Sequence, residues 1–420
     1  MKKNSYSNGY NNLLTYLLKK NENYKYLFHE FYFTKEYKKY NLVTVIFAFL
    51  RDIYIGIGRQ NLEFNKKIFF FFTNIGGSGQ EVFKKYKYFN KSNLIKVDLK
   101  RNRLKKTGKL TCIPDFLFIK NFILIFKSIN WQKNHGIILL IFSLRLSFWS
   151  TIWLNFLSNL KNDKCKIYIH NDFDIYNSSL IYILKNKFLK KKIKTICFQH
   201  GIPTDEFFPT KADVYIVWSK HMLKLFQKAN KQYGNNATKF KIENYLNIKI
   251  KILNKNIVND EKYFFISQGH TKIYGEKLNY NLINFFTELD FLIPNIYCLL
   301  HPQETLKNNN YNVKLKKKLK KGPHIFEYIK KSNVYICFCS TAMIKCMQNQ
   351  HIVIGIDITP DNSLLAYKYF KPTLTLKNPY LITNKIELIK SGKVSVKTII
   401  KNQNKYLKKI LGPNIHFYNL

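Results

Sequence analysis

The chain has 420 residues, 46% of them hydrophobic and 16% aromatic, and Lys+Arg 70 against Asp+Glu 25 leaves a formal charge of +45. Enough apolar surface is present to bury a core, so intrinsic disorder is excluded, and Gly 16 with Pro 10 excludes collagen-like and Pro-rich architectures. The excess charge is mostly Lys, accompanied by much Asn, Ile, Phe and Tyr. All five have AT-rich codons, and Lys lacks the fork with which Arg reads bases. Most of the charge therefore reads as codon composition, and nucleic acid is not the expected partner. A positive face toward phosphate-rich ligands or anionic lipid is expected either way.

At ~100–200 residues per domain, the length fits two domains. Residues 1–24 carry neither the apolar core nor the cleavage site of a secretory signal, and 1–65 read as mixed helix and loop. Residues 68–73 form a continuous apolar run, the mark of a strand buried on both faces, and lead into Asn74-Ile-Gly-Gly-Ser-Gly79 and a helical segment from Glu81. Similar runs follow at 94–99, 166–169, 193–198, 214–218 and 248–253, many of them separated by helical segments. That alternation predicts an α/β domain with a largely parallel sheet.

Residues 137–157 are long enough to cross a bilayer, at ~20 residues per span. Arg145 near the middle would cost ~2.5–3.5 kcal/mol on insertion scales. Ser143, Ser147, Ser150, Thr151, Asn155 and Ser158 also repeat at helical spacing. A helix packed inside a domain is expected first, then one lying on a membrane surface, then a span. The polar stretch 254–261 reads as an interdomain linker. Strands at 263–266, 297–300, 334–338 and 352–356, with helices at 278–289, 326–331 and 341–348, predict a second, smaller α/β domain. A final helix follows from the spacing of Val396, Ile399, Ile400, Leu407, Ile410 and Leu411, stopped by Gly412-Pro413. Seven cysteines at scattered positions, with no CxxC, predict neither a disulfide framework nor a zinc ribbon and fit a reducing cytosol.

In open α/β sheets ligands bind beyond the carboxyl ends of strands, so chemistry is sought there. Phe198-Gln-His-Gly-Ile-Pro203 presents His200 between Gln199 and Gly201, as a general base, as a phosphate contact, or as a plain turn histidine. Leu299-Leu-His-Pro-Gln-Glu304 places His301 ahead of Pro302, either facing a diphosphate or ending a loop. Ser340 and Thr341 open a helix, where they bind phosphate or simply cap it. Gly76, Gly77 and Gly79 permit close approach of a ligand but match neither GxGxxG nor the P-loop spacing. Ser267, Gln268 and Gly269 end a further strand. Asp205 and Glu206 follow the QHG turn as a carboxylate base or as solvated charge. HExxH is absent from the sequence, and no metal is expected.

A QHG strand end in the first domain, with HP and ST strand ends in the second, resembles the GT-B glycosyltransferases of bacterial capsule and lipopolysaccharide assembly. Relatives of that group include the HP-motif sialyltransferases and the teichoic-acid glycerophosphotransferases. The likeness covers about residues 190–360 and is best over 198–220, where Ala212-Asp213-Val214-Tyr215 follows QHG. It implies two Rossmann-like domains facing a cleft, divided as 1–255 for the acceptor, 256–395 for the nucleotide-sugar, and a 396–420 helix packing back on the first domain. His200 becomes the catalytic base. Ser267, Gln268, Gly269, His301, Pro302, Ser340 and Thr341 become the donor site, and Gly76, Gly77, Gly79, Gln199, Gly201, Asp205 and Glu206 the acceptor-side loops. The expected partners are a nucleotide-sugar and an oligosaccharide or lipid-linked acceptor, with no metal or other cofactor; the expected location is the cytoplasm, with peripheral contact with the inner face of the membrane as a further option. Ile202 after the HG, where teichoic-acid enzymes carry Thr, and Lys345 in the ST helix shift the expectation away from CDP-polyol phosphate transfer. That reaction, epimerisation of a sugar nucleotide, and nucleic-acid binding are the alternatives.

Overall fold

In the computed structural model of the chain, the residues described are 14, 17–19, 21–29, 42–59, 68–72, 94–98, 108–129, 136–160, 164–189, 192–199, 201–203, 207–233, 237–243, 248–252, 263–267, 276–301, 304, 319–320, 334–338, 340–358, 371–412 and 415–419. They divide into two units, Tyr10–Val217 with Phe226–Tyr245, and Leu246–Leu420 with Trp218–Leu225. The expected linker at 254–261 and helix at 326–331 lie outside the described residues.

In the first unit the elements run α1 (Leu42–Gly56), β1 (Ile68–Phe72), β2 (Leu94–Asp98), β3 (Gly108–Lys109), α2 (Phe116–Ser128), α3 (Gly136–Ser158), β4 (Lys164–Ile169), α4 (Ile175–Lys185), β5 (Lys192–Phe198), β6 (Val214–Val217), α5 (Lys220–Gln232, its residues up to Leu225 grouping with the second unit) and β7 (Lys239–Ile242). The strands form one parallel sheet in the order β3-β2-β1-β4-β5-β6-β7. The chain builds outward from β1 to β3, then returns to lay β4 on the other side of β1. Carboxyl ends on either side of that reversal diverge into different crossovers, which leaves a crevice between β1 and β4.

Helix α3 is the apolar stretch expected at 137–157, and it is a core helix: Trp149, Ile152, Trp153, Phe156 and Leu157 are all fully buried. Several of its polar side chains bond backbone carbonyls. The Ser147 and Thr151 hydroxyls donate to carbonyls one turn back, Ser143 and Ser147, at 2.8 Å each. Ser150 Oγ donates to the Ser179 carbonyl of α4 at 3.3 Å, so small hydroxyl residues let these two helices approach closely. Arg145, 2% exposed, donates through Nε to Asp52 Oδ2 of α1 at 2.6 Å. The arginine thereby pins α1 to α3.

In the second unit the elements are β8 (Ile248–Ile252), β9 (Tyr263–Ile266), α6 (Glu276–Leu292), β10 (Ile296–Leu299), β11 (Leu319–Lys320), β12 (Val334–Cys337), α7 (Thr341–Gln348), β13 (Ile352–Ile356), β14 (Thr375–Leu376), α8 (Pro379–Lys390), α9 (Val396–Leu411) and β15 (Ile415–Asn419). Six of the strands form a parallel sheet in the order β11-β10-β9-β12-β13-β14, with the reversal between β9 and β12. Every residue of β9, β12 and β13 is buried, as expected for strands covered on both faces. A Cβ on Gly355 of β13 would sit 2.8 Å from the Pro372 ring, so glycine is required there.

The C-terminal helix α9 packs on α7 and β13 of its own unit. The reason is Gln403, wholly buried, whose Oε1 accepts from Val353 N and whose Nε2 donates to the His351 carbonyl, both at 2.8 Å. Its amide thus serves as a surrogate strand partner. Beside the large sheet, β15 pairs in parallel with β8, from Ile248 with Ile415 to Ile252 with Asn419. β8 thereby groups with the second unit, upstream of the boundary expected at 255.

Candidate functional site

Strand register decides what meets at the reversal of the second sheet. Ile266 of β9 is level with Leu299 of β10 and with Cys337 of β12. Ser267, Leu300 and Phe338 therefore form the next row, and His301 and Ser340 stand one to two residues beyond it. The sheet brings together four of the residues picked out in the sequence: Ser267, His301, Ser340 and Thr341. Gln268, Gly269 and Pro302 lie outside the described residues.

A fifth side chain organises this rim. Glu304 is 6% exposed, and its Oε2 accepts from Ser267 Oγ at 2.6 Å and from His301 N at 2.8 Å. Its own N–H donates to the His301 carbonyl at 2.8 Å, closing a turn. One carboxylate oxygen thus ties the end of β9 to the end of β10. Oε1, also buried, has no hydrogen-bond partner among the described residues. Burial pushes the Glu304 pKa upward, and the bonds from Ser267 and His301 only partly oppose it. Nothing in the sequence reading had assigned Glu304 a role, since an acid in a polar loop reads as solvated. The one usable signal was its place three residues after His301.

Ser340 is the N-cap of α7: its Oγ accepts from Ala342 N at 3.2 Å while its carbonyl accepts from Met343 N at 3.1 Å. Capping uses the oxygen as acceptor, and the hydroxyl proton can still be donated outward. Thr341 is exposed in the first turn, where helix N–H groups and the positive end of the dipole favour an anion. Cys337 Sγ, 3.6 Å from Met343 Sδ, seats the start of this helix on β12.

In the first sheet, Gln199 N donates to the Ile216 carbonyl at 2.9 Å and extends the β5–β6 ladder by one residue. The wholly buried Gln199 side chain then donates to the Gly201 carbonyl at 3.0 Å. Gln199 is therefore the internal brace of the QHG turn. His200, Asp205, Glu206, Gly76, Gly77 and Gly79 lie outside the described residues. Asp213 of the Ala-Asp strand segment also has a structural role, with Oδ2 accepting from Thr195 N and Thr195 Oγ1, each at 2.9 Å, and Oδ1 paired with Lys185. Burial alone would raise its pKa, but the Lys185 and Thr195 bonds hold it below the ordinary value.

The end of β4, beside the crevice of this sheet, carries a buried cluster that the sequence reading missed. His170 Nε2 and Asn171 Nδ2 are 2.9 Å apart. Asp172 Oδ2 accepts from Ala212 N at 3.1 Å, and Lys211 Nζ donates to the Asp172 carbonyl at 2.9 Å. Burial drives the Asp172 pKa up and the Lys211 pKa down, each opposed by the other's charge. The cluster fastens the β4–α4 connection to the segment before β6. A His directly after an apolar strand was the signal available, the same one that singled out His301.

Among the described residues, no three His, Cys, Asp or Glu side chains are grouped to hold a metal. No protein-family model matches the sequence, and no curated protein matches it either. Solved structures do. Anabaena HepE, in complex with UDP and glucose, superposes with a TM-score of 0.50 at 12% identity over 83% of this chain and 96% of that one. The fold is GT-B-like. A UDP-forming α,α-trehalose-phosphate synthase from Burkholderia vietnamiensis matches at TM-score 0.46 and 8% identity, over 82% of this chain and 94% of its own. The pneumococcal O-GlcNAc transferase GtfA, in complex with UDP and GlcNAc, matches at 0.39 and 10% identity over 63% of this chain, which spans 60% of that transferase.

Proposed function

We propose that this protein is a glycosyltransferase that moves a sugar from a nucleotide-sugar, without a metal, to a growing capsule or lipopolysaccharide acceptor at the cytoplasmic face of the membrane. The observation that carries this reading is the convergence of Ser267, His301, Ser340 and Thr341 on the reversal point of a nucleotide-binding type of sheet, with Glu304 fixing two of the strand ends. Hydroxyls, an imidazole and a helix N-terminus are donors suited to a diphosphate, and donors aimed at a departing phosphate stabilise the charge that develops there. UDP bound to HepE, a protein of the same fold, favours a uridine donor. His200, after β5, would take the proton of the acceptor hydroxyl. The first unit would hold the acceptor, with the glycine loop 76–79, Asp205 and Glu206 beside it.

Thermal-shift titration with CMP, CDP, UDP, GDP and TDP, with and without EDTA, tests the donor site. A ligand at ~100-fold excess over its Kd adds ~2.7 kcal/mol of stability. The expected outcome is selective stabilisation by UDP, unchanged by EDTA and lost in His301→Ala. If no nucleotide moves the transition, the transferase reading fails. Product analysis with the stabilising donor separates sugar transfer from polyol-phosphate transfer and from epimerisation.

A further inference from the structure

Helices α1 and α2 both pack on α3, and Phe49 and Phe118 meet the same ring, Phe148, at 6.2 and 5.9 Å. The end of α1 is joined to the approach to α2 through Ile57 and Cys112, with Cys112 N donating to the Gly56 carbonyl at 2.9 Å. The two helices are therefore neighbours, and each turns a narrow stripe inward: Val45, Asp52 and Gly56 on α1, Phe118 and Ile125 on α2. Their outward faces are not polar. Phe47 is 65% exposed, Tyr54 63%, Phe116 81% and Leu124 51%. Soluble surfaces rarely leave so many large apolar side chains contiguous without a partner.

The charges on the same face identify the partner. Arg51, Arg59, Lys120 and Lys127 are exposed among these apolar residues. Of the acids on the two helices and their caps, Asp52 is buried against Arg145 and Asp115 caps α2 by accepting from Phe118 N. We propose that the outward face of α1 and α2 docks on an anionic lipid bilayer, the apolar side chains entering the acyl boundary and the four cations meeting headgroup phosphates. At 15 and 13 residues the helices are too short to cross a bilayer that needs ~20, so they lie along its surface. A second copy of the chain would bring the same cations against their equals, which disfavours self-association. The purpose of docking, presenting the first unit to a lipid-linked acceptor, rests on the transferase reading; the docking itself does not.

Flotation with vesicles of phosphatidylcholine alone, or with about one third phosphatidylglycerol, tests it on the full chain. The wild type should float with the anionic vesicles and less so as salt rises. Phe47→Glu with Phe116→Glu, and separately Arg51→Glu with Lys120→Glu, should each weaken partitioning about ten-fold or more. Both variants alter exposed positions, so their melting temperature and any stabilisation by UDP should match wild type. Absence of wild-type binding to anionic vesicles overturns the proposal, as does undiminished binding by the variants. So does a dimer that Phe47→Glu with Phe116→Glu converts to monomer. Flotation without any nucleotide effect would leave the docking surface standing and remove the transferase.

Discussion

Glu304 does with one oxygen what a strand-end loop otherwise needs several bonds to achieve. Because burial raises its pKa, the folded chain holds a proton there over a pH range in which the unfolded chain has lost it. The stability this supplies is complete below the ordinary glutamate value and is lost as pH rises through the raised one. Glu304→Gln removes the titration yet keeps an oxygen for Ser267 and His301. The melting temperature of wild type minus that of the variant should therefore rise as pH falls through this window. A difference that stays flat with pH would mean that folding does not raise this pKa.

Among elements, α3 shows how a segment can have the composition of a membrane span and the role of a core. Its single charge is matched by Asp52, and removing one partner leaves the other buried without compensation. Asp52→Asn should cost about 3–5 kcal/mol, whereas Asp52→Leu with Arg145→Met should recover most of that loss. Thermal melts of the three proteins decide it; a double variant as unstable as the single would assign the loss to packing instead. The central strands, β9, β12 and β13 among them, were legible in the sequence because burial on both faces leaves unbroken apolar runs, whereas β3, β7, β11, β14 and β15 were not. α1 and α2 were not, since helices apolar on both faces give no amphipathic contrast. Glu304 and His170 were missed for another reason: their burial is set by partners distant in sequence, Ser267 for the one and the packing of the β4–α4 segment for the other. The seat of α9 on its own sheet rests on Gln403 meeting a β13 backbone group, which periodicity does not reveal.

At the scale of the whole molecule, a charge of +45 acts as a diffuse field. Like charges repel across the folded surface, and the Debye length falls to ~8 Å at physiological salt. The melting temperature should rise on going from low to moderate salt, while polynucleotide binding should fade steeply and show no sequence preference. A polynucleotide complex that survives moderate salt and discriminates between sequences would assign the charge to a nucleic-acid partner. The pairing of β8 with β15 bears on the order in which the protein is made. Residue 248 leaves the ribosome long before its partner at 415, so β8 waits without that partner while the strands of the second sheet are synthesised. Ile and Lys alternate along β8, and lysines on a waiting edge discourage pairing with a neighbouring nascent chain. The ribbon is thus a late fastening, and variants that shorten or mispair β15 should first reveal themselves as losses during synthesis.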